Sequence, residues 1–171
     1  VFNRCKKEDP LANFRRSIKV VNPSAEVIFE DEEGEMEDIF ADQMPFDLDA
    51  DIVDIPPEDY GIWFVDAMDH PDRYVGQTLR FKARARRPRG MGSKFFIPGR
   101  TAMTCCADDT SFLGYICKSA YAPKLKQGEW VEVTAKAAYE NRTEYQGEGI
   151  VLYAENVSPC EPLADEMVYF N

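Results

Sequence analysis

The chain has 171 residues, 44% hydrophobic and 12% aromatic, enough to bury one sizeable core with a smaller unit beside it. Its formal net charge of −11 and isoelectric point near 4.6 argue against a nucleic-acid partner. No apolar run approaches the roughly 20 residues of a transmembrane helix and no signal peptide is visible, while five cysteines without even spacing fit reduced thiols, so a cytoplasmic location is expected.

Residues 1–29 read as an α/β unit. Val1 and Phe2 end a strand, Asn3-Arg4-Cys5-Lys6 form a loop, and Asp9-Pro10 supplies an N-cap with proline at the first helical position. Leu11, Phe14, Ile18 and Val21 follow at helical spacing, Asn22-Pro23 stops the helix, and residues 25–29 form a short strand. One such unit cannot cover both faces of a sheet, so the stretch looks like the end of a larger domain.

These residues resemble the last part of the CobW-type P-loop GTPases, where an Asn-Lys-x-Asp loop holds guanine and an Asn-Pro-x-Ala turn follows the next helix. Asn3 falls on the family's Asn, which implies a remnant base-binding loop. Arg4 stands for the Lys, and Lys6 stands where the guanine-reading Asp would be. An ammonium cannot accept hydrogen bonds from the guanine edge as a carboxylate does, so this departure puts guanine recognition in question. The chain holds no Gly-x-x-x-x-Gly-Lys-[Ser/Thr] loop. GTP binding therefore requires a GTPase domain upstream of Val1, and this part is not expected to be an enzyme.

Charge is sorted along the chain. Residues 20–72 carry eighteen Asp/Glu and no Lys/Arg, whereas residues 73–107 carry nine Lys/Arg and no acid. Residues 30–35 form a solvated acidic turn. Met36, Ile39 and Phe40 allow a short helix before Pro45, and residues 46–54 alternate loosely as an extended strip with its apolar side down. The acidic run lacks the glycine and ligand spacing of a calcium loop. The expected division is 1–45, the α/β remnant with its acidic linker, and 46–171, a helix plus a β-barrel.

Pro57 opens a helix with Tyr60, Trp63, Phe64, Ala67 and Met68 on one face and Asp59, Asp66 and Asp69 on the other, ended by His70-Pro71. His70, the only histidine, is most simply a cation at the helix C-terminus. From Gly76 the period becomes two: Leu79, Phe81, Ala83 and Ala85 alternate with Arg80, Lys82, Arg84 and Arg86. Further strands are expected over residues 95–106, 112–118, 130–136 and 149–157. Five short strands with glycine turns suit an OB-like antiparallel barrel preceded by one α-helix, so the fold class is a mixed α/β remnant plus an all-β domain.

The segment from Tyr60 to Phe170 carries several blocks in order: residues 98–109, Phe112-Leu113-Gly114, residues 130–134, residues 145–149 and Tyr169-Phe170. It is similar to the soluble domain of the YcgQ-type permease subunits. That family has no established activity; the resemblance implies work beside a membrane permease or in metal handling. The CobW-type resemblance implies metal delivery too, zinc included.

Chemistry concentrates at Thr104-Cys105-Cys106-Ala107-Asp108-Asp109. Adjacent strand residues point to opposite faces, so Cys105 and Cys106 share an ion only where the strand turns. A hairpin closing over residues 107–111 pairs Cys106 with Phe112 and Thr101 with Cys117, leaving Cys105 and Cys117 about 13 Å apart, beyond a disulfide. Three readings stay open: the cysteines as small core hydrophobes, zinc ligation by Cys105 or Cys106 with Asp108 or Asp109, and redox chemistry.

The basic block admits two readings. One is a single-strand nucleic-acid face formed with Phe95, Phe96 and Tyr115. The other is pairing with the chain's own acidic residues 26–72, which accounts for both charge runs at once. The expected function is a non-catalytic C-terminal module of a CobW-like GTP-binding protein, in metal trafficking or docking to a permease or other partner, without nucleic acid. The rival is a free-standing OB-type single-strand binder.

Overall fold

The computed structural model describes residues 44–103 and 109–170. The expectations for residues 1–43, including the α/β unit and the short helix near Phe40, lie outside them.

Chain order gives β1 (Val53–Asp54), a 3-10 turn (Pro57–Asp59), α1 (Tyr60–Asp69) and a second 3-10 turn (Pro71–Arg73). The strands β2 (Thr78–Arg86), β3 (Phe95–Met103), β4 (Thr110–Gly114), β5 (Ile116–Lys118), β6 (Trp130–Arg142), β7 (Gly147–Pro159) and β8 (Met167–Tyr169) follow. Alternation in β2 is realised as read: Leu79, Phe81, Ala83 and Ala85 are buried and the four cations point outward. Of the strip over residues 46–54, Phe46 and Val53 are buried but Ile52 is 38% exposed.

The barrel closes in the order β2–β3–β5–β7–β6 and back to β2. Four of its five ladders are antiparallel. The fifth, β5 with β7, is parallel, with Ile116 opposite Val151 and Lys118 opposite Tyr153. This is the five-stranded OB-like barrel, with β1, β4 and β8 added at its edges. β6 and β7 run 13 residues each, longer than expected, past a bulge at Thr134/Ala135.

The interior is filled by Phe81, Ala83, Phe96, Leu113, Val131, Val133, Ala135 and Leu152, all buried. The helix α1 seals one end. Its Trp63 ring lies 4.8 Å from Phe81 and meets Tyr115 edge-on at 5.7 Å, while Phe64 stacks on Tyr115 at 4.6 Å. Burying each of these rings contributes about 2–3 kcal/mol before entropy is counted. Asp66, expected on the solvent face, is buried. The turn after α1 folds back, so Tyr74 Oη donates to Asp66 at 2.5 Å and Arg73 pairs with it at 2.6 Å.

The β3–β4 hairpin corrects the expected register by five residues. Met103 faces Thr110, Thr101 faces Phe112, Gly99 faces Gly114, and further on Phe96 faces Cys117. The glycines account for this. A Cβ on Gly99 would come within 2.5 Å of the Leu113 carbonyl oxygen, and one on Gly114 within 2.5 Å of that of Pro98. The two strands approach closely where Gly99 meets Gly114, and the Phe112 ring lies across Gly99.

Candidate functional site

Of the residues singled out from the sequence, Asn3, Cys105, Cys106 and Asp108 lie outside the described residues. Asp109 is exposed, immediately before the Met103–Thr110 rung that closes the hairpin. Among the described residues no three of His, Cys, Asp and Glu gather as a metal site. Cys117 faces the core, and burial pushes its thiol far above the usual range.

The basic strand is partly neutralised. Arg80 grips Asp54 through two bonds, 2.5 and 2.7 Å, as complementarity with the acidic segment requires. Arg84 instead reaches Glu166 at 3.4 Å, and Lys82 sits opposite Glu132 of β6. Arg86 lies over the Phe112 ring at 3.8 Å, its guanidinium pushed down by partial burial and by the charge of Arg84. Phe96 and Tyr115 are buried, the Tyr115 hydroxyl donating to the Phe64 carbonyl oxygen at 2.6 Å. Only Phe95 of the three aromatics named for a stacking face reaches the surface.

Another face carries the exposed Tyr153 and the half-buried Phe95. Register sets Phe95 of β3 beside Lys118 of β5, Lys118 beside Tyr153 of β7, and Tyr153 beside Lys136 of β6. This makes one lateral row, aromatic–cation–aromatic–cation, on the outside of the barrel. Lys118 Nζ lies 5.9 Å from the Phe95 ring and 6.0 Å from that of Tyr153. Arg142 covers Phe95 at 4.5 Å and pairs with Glu144 at 2.6 Å, which holds the Glu144 carboxyl below its usual range. The Tyr153 hydroxyl donates to Glu140, and that bond raises its phenol.

The row stands on a second small core of Ile116, Val151 and Tyr145, packed by Met91, Phe95 and Ile97. Tyr145 Oη accepts from the Ile116 amide at 2.8 Å and donates to the Ile150 carbonyl at 2.7 Å, so the hairpin tip is locked to β5. Beside the row, Gly90 and residues 141–144 line an open concavity between the β2–β3 and β6–β7 loops. These loops and this face are where OB barrels take ligands. The arrangement can offer flat π surfaces, cations and two carboxylates to a partner, on the strands except for Glu144, which sits in the 3-10 turn between β6 and β7.

A family model for the DUF1980 C-terminal domain matches residues 32–170. The chain belongs to that family. The match spans the stretch on which the YcgQ-type resemblance rests. Among solved structures, the barrel is similar to yeast RPA bound to ssDNA (10% identity, TM-score 0.36, covering 66% of this chain and 78% of that one). It is also similar to an aspartyl-tRNA synthetase from Leishmania major Friedlin (18% identity, TM-score 0.33), where 59% of this chain aligns with only 21% of the synthetase. A third likeness is to the mitochondrial single-stranded DNA binding protein Rim1 of S. cerevisiae (13% identity, TM-score 0.29, 48% and 93% covered). No curated protein sequence matches this DUF1980 C-terminal domain chain.

Proposed function

We propose that this DUF1980 C-terminal domain is a non-catalytic docking module that takes a partner protein on the outer face of β3, β5 and β7. In this reading it follows a CobW-like GTP-binding part of the same protein and serves metal trafficking beside a permease. The observation that carries the docking part is the row Phe95–Lys118–Tyr153–Lys136 with Arg142 beside it. Tyr and Arg dominate the energetic centres of protein interfaces, and here they stand on a rigid strand surface. Glu140 and Glu144 among the cations suit a protein surface of mixed charge better than a phosphate chain. For the upstream part, the support is the loop around Asn3 and the start of the family match at residue 32, which leaves residues 1–31 outside it.

A second reading, single-strand nucleic-acid binding, draws on the same row, since aromatics flanked by cations stack bases. The carboxylates on that face and the net charge of −11 weigh against it. Site-specific photo-crosslinking in cells separates the two. A photoreactive phenylalanine at position 153 or 95, but not at 124, is expected to yield one recurrent protein adduct. Equal adduct patterns from all three positions, or an adduct with RNA or DNA, would sink the docking reading.

A further inference from the structure

The docking row crosses the sheet instead of following a strand. Phe95, Lys118, Tyr153 and Lys136 are lateral neighbours on β3, β5, β7 and β6, so each strand is already paired on the side that faces the next member of the row. No backbone edge opens along it, which leaves a partner only side chains to contact and excludes strand addition there. The row is also close to straight. Strands of a closed barrel are tilted, so a line perpendicular to them climbs along the barrel and does not circle it. Lys118, Tyr153 and Lys136 are exposed and Phe95 is half-buried. The Lys118 Nζ stands between the two rings, 5.9 Å from Phe95 and 6.0 Å from Tyr153. The nearby carboxylates are engaged elsewhere, Glu140 by the Tyr153 hydroxyl and Glu144 by Arg142. Among the described residues no carboxylate forms an ion pair with Lys118 or Lys136.

We infer that the partner's docking segment is an amphipathic α-helix laid along this row, with apolar and acidic residues in alternation, an inference that rests on the docking reading and names its occupant. Spacing decides for the helix. Neighbouring strands lie about 4.8 Å apart, which is about 3.2 residues of helix at about 1.5 Å each, so every step along the row returns to the same helical face. An extended chain covers that step in about 1.5 residues while its side chains alternate between two faces, so it meets the row out of phase. Charge complementarity decides the order of side chains. The ring of Tyr153 and the open part of Phe95 take apolar groups, whereas Lys118 and Lys136, unpaired among the described residues, take carboxylates. The segment therefore carries apolar, acidic, apolar and acidic residues three or four apart, over about ten residues in all. Its two acids are about six or seven residues apart, since Lys118 and Lys136 are separated by one strand.

The spacing of cross-links on the partner tests this. A photoreactive phenylalanine is placed at position 118, 153 or 136 of the full chain in cells, and peptide mass spectrometry locates each adduct on the partner. A helix puts the adducts of positions 118 and 136 about six or seven residues apart on one segment, with that of position 153 between them. A separation of about three residues, as an extended chain gives, or adducts on unrelated segments, would overturn the helix and leave the docking reading standing. No protein adduct at any of the three positions, or adducts with RNA or DNA alone, would remove both. As a second measurement, the Lys118→Glu/Lys136→Glu double variant should bind that partner at least about tenfold more weakly, and replacing the partner's two matching acids by lysine should restore most of the loss. Unchanged binding by the double variant, or no restoration by the exchange, would equally overturn the helix.

Discussion

Arg100 of β3 donates to the carbonyl oxygen of Met167 at 3.1 Å, and so ties the last strand of the chain to the barrel. The same guanidinium, only 2% exposed, donates to the carbonyls of Asp165 and Pro57 and lies over the Tyr60 ring at 5.5 Å. A single side chain thus joins the C-terminal segment, the start of the helical cap and the sheet.

Replacing Arg100 by Met leaves three carbonyl oxygens without their charged donor. The expected cost is about 2–4 kcal/mol, because bonds to charged groups are stronger than average and unsatisfied buried groups add their desolvation. Urea denaturation measures it, and limited proteolysis should open residues 160–170 first. A loss under about 0.5 kcal/mol, with no change in proteolysis, would contradict this role. Arg100→Lys should recover only part of the loss, since an ammonium lacks the planar fork.

Alkaline pH probes the cap. Burial raises the phenols of Tyr60, Tyr74, Tyr115 and Tyr145 above their ordinary value of 10.0. The folded chain therefore keeps protons that the unfolded chain releases, and stability falls as pH climbs through about 10. These four phenols should ionise in one step with the loss of circular dichroism. Ionisation of Tyr60, Tyr74 and Tyr115 at 295 nm in a chain that stays folded would show that α1 does not seal the barrel.

How much of this was legible in the sequence varies by element. The alternation of Leu79, Phe81, Ala83 and Ala85 stated β2 outright, and Tyr60, Trp63 and Phe64 stated the cap, since both follow from local period. The register of β3 with β4 did not follow, because the acidic turn residues suggested a tighter loop than the one the Gly99–Gly114 contact imposes. β8 is three residues whose place is set by Arg100 from 67 residues away, a contact with no local signal. The docking row takes one residue from each of four strands, so it exists only once the parallel β5–β7 pairing is known.

A zinc titration addresses the hairpin tip. Any zinc site in this domain is expected at Cys105 or Cys106 with Asp108 or Asp109, because Cys117 is held in the core with its thiol protonated. Uptake of zinc should be lost in the Cys105→Ser/Cys106→Ser double variant, kept in Cys160→Ser, and weakened as pH falls, since protons compete for thiolate. Equal uptake by the double variant would remove the metal from the tip.

The most direct measurement is the affinity of the protein partner cross-linked at position 153, compared between the natural chain and Tyr153→Ala and Phe95→Ala, at two salt concentrations. The docking account predicts at least about tenfold weaker binding for Tyr153→Ala, the scale of an interface centre, with little dependence on salt. Unchanged affinity in both variants, or tighter binding of a single-stranded oligonucleotide that falls steeply with salt, would contradict it.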